Sequence, residues 1–347
     1  MNLRFFPPKA FSVMEAGFDQ LVIVIADKKD DGGLRILGGG EAPVRGLEKG
    51  EFSDPGDFVE PIAEAARKAE KSSGIPIEKL YYNLDDPRIE SAHPGGSRIL
   101  DGEGEIQAAD VRAAVQAAER IAGDFEKKIV YSAEIDYVID GKDPVADPVG
   151  IFGHKLDVKV HLLLARAGRW DVWDRMIRRA GYRRSAAVLS GLSSAYGVLS
   201  AEERMGKRIL WDAARDYLNG LVMENGRILE YRTLLRASES WEALSGVVPA
   251  LSQEFQKKYP GVSELVLTGE SAGDPKLQAE LNEGLDIPVR VASPAGIPKL
   301  AEPRHASLAG LLRLAGEIEG RKVTLRPEKT TIASARAKVQ SFLSDYF

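Results

Sequence analysis

The chain of 347 residues has no cysteine. That excludes disulfides and thiolate chemistry and suits a reducing compartment. Histidine is scarce: His93, His154, His161 and His305 form no i,i+4 pair and sit beside no carboxylates at metal-ligand spacing, so surface or structural roles are expected of them. No run approaches the roughly 18 apolar residues that a spanning helix needs. The opening MNLRFFPPKAF lacks the apolar core of a signal peptide, and Pro7-Pro8 would break one. Neither charge sign dominates: 47 Lys and Arg face 52 Asp and Glu, a net charge of −5 that leaves no footprint for nucleic acid. Asp136, Asp140, Asp143 and Asp147 surround a Gly-Pro-rich turn without the order of a calcium loop. No Ser-His-Asp or paired-carboxylate arrangement stands out. What is left is a soluble chain, at most attached to a membrane surface, whose 44% hydrophobic content suffices for two or more subdomains.

The segment Gly206–Gly226, GKRILWDAARDYLNGLVMENG, reads as a hairpin of two apolar runs flanking Asp212-Ala213-Ala214-Arg215-Asp216-Tyr217-Leu218-Asn219. It resembles the phosphate-binding hairpin of actin-like ATPases, where Asp-Ile-Gly-Gly-Gly-Thr-Thr-Asp closes backbone N–H groups around the phosphates. Here Ala214, Arg215 and Asp216 replace the glycines, and Tyr217 and Leu218 replace the hydroxyls. A carboxylate about 4 Å from a phosphate oxygen costs on the order of 4 kcal/mol at an effective dielectric near 20. That is roughly a thousandfold in affinity, which Arg215 offsets only in part. Trp211, next to this loop, is expected to report on it.

Elsewhere, Leu21–Ala26 and Leu34–Leu37 read as a strand hairpin, and Gly38-Gly39-Gly40 as a flexible strand exit rather than a phosphate loop. Helices are expected over 55–73, 108–122, 170–180, 275–284 and 305–318. From about 83 to 165 the composition shifts to a small α+β insert, with three strands after its helix. In the last, Leu156–Leu164, the apolar residues alternate with outward-facing Asp157, Lys159 and His161. Its polar face reads as solvated, and an open sheet face or edge can also receive a partner. The arginines 178, 179, 183 and 184 read mainly as helix-end charge on a solvated face. Trp170 and Trp173 read as core or subdomain-interface residues. No internal repeat is visible in the residues.

Ile36–Pro43 with Gly46, Lys49-Gly50 and Asp54, and Asp147–Gly153 with Leu156-Asp157-Val158 and Val160-His161, resemble the FtsA family of bacterial actin homologues. Ser194-Ala195-Tyr196, Leu265–Gly269, Pro288-Val289-Arg290, Glu302-Pro303-Arg304 and Gly310-Leu311 match later landmarks. The resemblance implies an α/β, actin-like (ribonuclease H-like) two-lobed core with an inserted α+β SHS2-type subdomain. Its parts would be subdomain 1A over 12–82 and 166–204, the 1C (SHS2-like) insert over 83–165, and a reduced 2A over 205–318. A basic linker over 319–331 and an amphipathic helix over 332–347 would follow. The departures are specific. The family's first phosphate loop, Asp-Ile-Gly-Thr-Ser-Lys, becomes Glu15-Ala16-Gly17-Phe18-Asp19-Gln20, and the adenosine-loop Gly-Gly becomes Gly269-Glu270 after Thr268. Only about 30 residues separate the second hairpin from the ELVLT strand, too few for subdomain 2B, which in the family covers the nucleotide and contacts the ring protein FtsZ. No ATP or Mg is therefore expected, and FtsZ binding is doubtful.

Ala335, Val339, Phe342, Leu343, Tyr346 and Phe347 fall on one helical stripe, preceded by Arg321, Lys322, Arg326, Lys329, Arg336 and Lys338. This resembles the family's membrane-targeting helix, with packing back on the core as the competing reading. Together these readings give a non-catalytic pseudo-ATPase adaptor on the inner face of the cytoplasmic membrane. It would bind divisome or other inner-membrane proteins, or further copies of itself, through residues 83–165, and anionic lipid through Arg336, Lys338, Val339, Phe342, Leu343, Tyr346 and Phe347. Two alternatives stay open: a PilM-like scaffold of a type IV pilus or secretion platform, and an actin-like ATPase with a rebuilt pocket using Glu15, Asp212 and Arg215.

Overall fold

A computed structural model describes residues 10–17, 19–48, 51–123, 126–215, 217–235 and 246–322. The chain starts with β1 (Phe11–Ala16), β2 (Gln20–Lys28), β3 (Leu34–Pro43), the short β4 (Leu47–Glu48) and β5 (Glu51–Phe52), α1 (Val59–Ser73) and β6 (Lys79–Leu84). Then come β7 (Glu90–Ala92), β8 (Gly95–Glu105), α2 (Ala108–Ala122), β9 (Lys127–Ile139), β10 (Phe152–Arg166) and α3 (Ala167–Arg179). The rest is β11 (Arg183–Leu189), α4 (Ser190–Val198), β12 (Arg208–Ala213), β13 (Tyr217–Glu224), β14 (Arg227–Leu235), α5 (Val247–Lys258), β15 (Leu265–Thr268), α6 (Pro275–Gly284), β16 (Val289–Val291) and α7 (Ala306–Lys322). Among the described residues, 88–170 form one unit, and those up to 87 and from 171 to 322 form the other.

The larger unit contains the same sheet twice. Its first half has strand order β3-β2-β1-β6-β11 and its second β14-β13-β12-β15-β16. In each, the first three strands are antiparallel neighbours and the remaining contacts are parallel. This duplication lies in topology and leaves no repeat in the residues. Buried-strand runs fix the registers: Leu21, Ile23, Ile25, Ile209 and Trp211 are all fully enclosed. Trp211 turns away from its neighbour Asp212, stacking on Phe255 of α5 at 6.1 Å and donating its indole N–H to Ser252. It reports on that core, not on the loop after β12.

The triple glycine is no strand exit; it lies inside β3. A Cβ on Gly40 would overlap the Ala65 carbonyl oxygen of α1, and one on Gly38 would come 2.6 Å from Ser72 Oγ. The two glycines let α1 settle on the sheet. β3 is also an edge, and α1 covers its outward polar groups. Gly39 N–H donates to Ser72 Oγ, that hydroxyl donates to the Gly39 carbonyl, and Lys68 Nζ donates to the Glu41 carbonyl. Trp173 of α3 belongs to an aromatic cluster with Phe52, Phe58 and Tyr82, at centroid distances of 5.2, 5.1 and 5.6 Å. Helices α4 and α7 cross closely. A Cβ on Gly197 would overlap the Ala306 carbonyl oxygen, and one on Gly310 the Ser193 carbonyl oxygen.

In the smaller unit β10 is central, paired with β9 on one side and with β8 and β7 on the other. Only two strands follow α2, not three; β7 and β8 precede it. The capping box at Gln107 and Asp110 starts α2. Gly96 of β8 admits α2, since its Cβ would overlap the Ala114 carbonyl oxygen. Leu156, Val158, Val160, Leu162 and Leu164 are buried as the alternation requires. His161, expected outside, is buried: its ring stacks on His93 at 4.8 Å and meets Tyr131 edge-on. The register shift between Lys159 and Val160 places its extra residue in β9, so the alternation along β10 continues and His161 is covered on the opposite face by these two rings.

Candidate functional site

β1 and β12 hold the same place in their sheets, and each carries a carboxylate one residue before its end, Glu15 and Asp212. Superimposing the strand orders sets Asn219 opposite Asp212 where Val22 stands opposite Glu15. One strand further, Thr233 and Tyr231 correspond to Glu41 and Gly39. Each carboxylate accepts a hydroxyl from the helix that closes the other half. Ser194 of α4 donates to Asp212 Oδ2 at 2.7 Å, and Ser307 of α7 donates to Glu15 Oε1. The exchange follows from the α4–α7 crossing, which carries each helix across to the opposite first strand.

More polar groups tie the cleft together. Ser190, Ser193 and Ser194, at i, i+3 and i+4 on α4, share one helical face. Ser193 donates to Asn83 Oδ1 at 2.7 Å, and Asn83 Nδ2 donates to Glu15 at 3.2 Å. Ser190 and Asn219 donate to the two oxygens of Asp85 at 2.7 and 2.6 Å, and Thr233 donates to Asn219 Oδ1 at 2.8 Å. Gly191 N–H donates to the Tyr231 hydroxyl at 3.2 Å.

Burial pushes the Asp212 carboxyl up to about 7; the Ser194 hydroxyl opposes this, and Asp85 and Glu15 add to it. Burial likewise raises Glu15 to about 7, against the hydroxyl of Ser307 and the amide of Asn83 and with help from Asp85. Glu15 keeps some solvent contact at its edge, yet protein packs closely around it. Burial holds the Tyr231 phenol well above its ordinary range. At neutral pH the cleft is therefore a store of partly protonated, internally bonded acids.

The residues expected at nucleotide loops divide among three situations. Glu15, Asp212 and Gly269 come together: Gly269 is left-handed (φ 95°), and a Cβ there would stand 2.6 Å from Asp212 Oδ1. Its freedom thus serves a close approach to the protein's own carboxylate. Thr268 is fully buried, its hydroxyl donating to the carbonyls of Ala292 and Pro303 at 2.9 and 3.2 Å. Gly17 closes the β1–β2 turn by donating to the Gln20 carbonyl at 2.9 Å. Ala214 and Arg215 are half-buried after β12, and Glu270 is exposed. Tyr217 is the first residue of β13 and is buried, rather than lying in the loop. Phe18 and Asp216 lie outside the described residues, as do Arg336, Lys338, Val339, Phe342, Leu343, Tyr346 and Phe347. Sequence reasoning missed Asn83, Asp85, Ser190, Asn219, Tyr231 and Ser307; the Ser-x-x-Ser-Ser spacing of α4 was the available signal. Among the described residues no His, Asp and Glu side chains gather as a metal site, and no helix is long and apolar enough to cross a membrane.

Residues 87–164 match the family model of the SHS2 domain inserted in FtsA. The chain is 24% identical over 307 residues to the cell division protein FtsA of Pseudomonas aeruginosa, covering 86% of this chain and 71% of that one. It is 29% identical over 194 residues to FtsA of Neisseria meningitidis, covering 56% and 46%. Against most such relatives the match spans about half of their length. Among solved structures, the PilM-PilN type IV pilus biogenesis complex matches with a TM-score of 0.62 at 14% identity, over 89% of this chain and 99% of that one. That likeness is one of fold, and the fold is the actin-like core with its SHS2 insert.

Proposed function

We propose that this chain is a member of the FtsA family, as the SHS2 match and the relatives support, and a non-catalytic adaptor of the division or envelope machinery. The observation that carries the reading is the reciprocal pair of hydroxyl–carboxylate bonds, Ser194 to Asp212 and Ser307 to Glu15. They use up the two acids near the ends of the paired first strands. Asp85 adds a third carboxylate to the same cleft. A polyphosphate entering there would displace internal hydrogen bonds and face like charge, with no glycine-rich loop after β12 to wrap it. The cleft is then a rigid joint, and function passes to surfaces. The unit of residues 88–170 presents itself to divisome or other inner-membrane proteins, or to further copies of the chain. Segment 332–347 holds the chain on anionic lipid at the inner face of the cytoplasmic membrane.

Calorimetry with Mg-ATP tests the cleft. No heat of binding is expected at millimolar nucleotide, whereas micromolar affinity would overturn the reading and restore a rebuilt ATPase. Flotation of the full chain and of a 332–347 deletion on anionic liposomes tests the membrane assignment; equal recovery of both would remove it.

A further inference from the structure

Packing explains Gly38 and Gly40 but not Gly39. The first two turn toward α1, where a Cβ would collide. Gly39 turns to the opposite face of the sheet, and a Cβ there would meet nothing nearer than the Ile23 carbonyl oxygen at 3.5 Å, an ordinary contact. Its φ is not left-handed either, so the backbone does not call for glycine. Antiparallel partners share a face; Gly39 pairs with Val24, and Glu41 with Val22. All four line a cavity of about 780 Å³, which Leu300, His305 and Leu308 border from the turns leading into α7 and from its first residues. That size lies within the roughly 300–1,000 Å³ of sites that take a small ligand. A larger residue at position 39 would stand inside it.

The walls hold one charge of each sign that has no ion-pair partner among the described residues, Lys299 and Glu41. Lys68, the third charged wall residue, is already answered: its Nζ donates to the Glu64 carboxylate and to the Glu41 carbonyl, each at 2.8 Å. The unanswered charges therefore cancel, which disfavours a ligand of one charge sign. The ring Nδ1 of His305 is buried with no hydrogen-bond partner among the described residues. Burial and then Arg304 hold this imidazole below its ordinary range, against the through-space pull of Glu302 and Glu41. The ring is thus neutral at pH 7, and with its proton on Nε2 it accepts at Nδ1. We propose that this cavity binds a free α-amino acid with a large apolar side chain. Its ammonium would donate to the Glu41 carboxylate and to His305 Nδ1, and its carboxylate would meet Lys299. Its side chain would lie over Gly39 against Val22, Val24 and Leu308. A fatty-acid anion would instead face Glu41 as like charge, and an alkylamine would so face Lys299. The site uses neither Glu15 nor Asp212, so it stands whether or not the cleft takes a nucleotide.

Calorimetry on the full chain, with L-phenylalanine as the probe, tests this. Saturable binding is expected, weakened about tenfold or more for N-acetylphenylalanine, which lacks the ammonium, and for phenylalaninamide, which lacks the carboxylate. Glycine, with no apolar body, should give no heat. Glu41→Gln should weaken phenylalanine yet leave N-acetylphenylalanine unchanged, and Lys299→Met should weaken phenylalanine yet leave the amide unchanged, as paired losses require. Both residues are exposed, so these variants should fold. Gly39→Leu, which places a side chain in the cavity, should abolish binding. No saturable heat with phenylalanine, equal affinity for phenylalanine and its two derivatives, or wild-type affinity in a folded Gly39→Leu variant would overturn the proposal. If Gly39→Leu does not fold, the two charge variants decide, and an affinity for phenylalanine that neither of them moves would overturn it as well.

Discussion

The first half of the larger unit admits the 88–170 unit between β6 and β11, while the second spans the equivalent step, β15 to β16, with α6 alone. Their linings differ as well. The second half places Asn219, Thr233 and Tyr231 under the incoming helix; the first places Val22, Glu41 and Gly39 at the same registers. Both keep the strand order, a carboxylate near the end of the first strand, and a glycine in the crossing helix. The frame therefore depends on registers and on close backbone approach, and the chemistry beneath the helices is free to diverge.

The crossing should be the most sensitive point of that shared frame. Gly310→Val puts side-chain atoms where the Ser193 carbonyl oxygen lies, and a loss of about 4 kcal/mol or more is expected in urea unfolding. A loss below about 1 kcal/mol would show that the halves do not pivot on this contact.

Next in size is the pH response of the acids that both halves retain. Glu15 and Asp212 sit near 7, above their ordinary range, so the folded state binds their protons more tightly than the unfolded chain does. The stability they confer is full below about pH 4 and drains away as pH rises through 7, on the order of 3 kcal/mol for each group taken alone. The urea midpoint should fall between pH 5 and pH 8, and Asp212→Asn should flatten the profile. A level wild-type profile would contradict the buried-acid assignment.

The smallest effect sharpens the comparison most. Ser194→Ala and Ser307→Ala each remove one of the reciprocal donors, at an expected cost of about 1–2 kcal/mol. Equal losses would make the exchange symmetric in energy as well as in geometry. A much smaller loss for Ser307 would fit the partial solvent contact of Glu15.

Local pattern made much of this legible. The limits of α2 and α6 follow from periodicity and caps; Asp274 accepts from the N–H groups of Lys276 and Leu277 just before Pro275. The residues from Asp147 to Gly153 were specific enough to point to the family. What stayed hidden depends on distant partners. Gly38 and Gly40 look like a loop until α1 is laid against them. His161 looks solvated until His93 and Tyr131 enclose it. Ser190, Ser193 and Ser194 gain meaning only when β6 and β12 arrive.

The dressed edge of β3 bears on how the protein behaves when crowded. A strand from another molecule would have to displace Ser72 from both polar groups of Gly39, and Lys68 from the Glu41 carbonyl, before it could add to that side of the sheet. Molecules concentrated on a surface meet one another often, and an undressed edge invites irreversible stacking into aggregates. Here one helix turn of α1 guards that edge against runaway sheet growth.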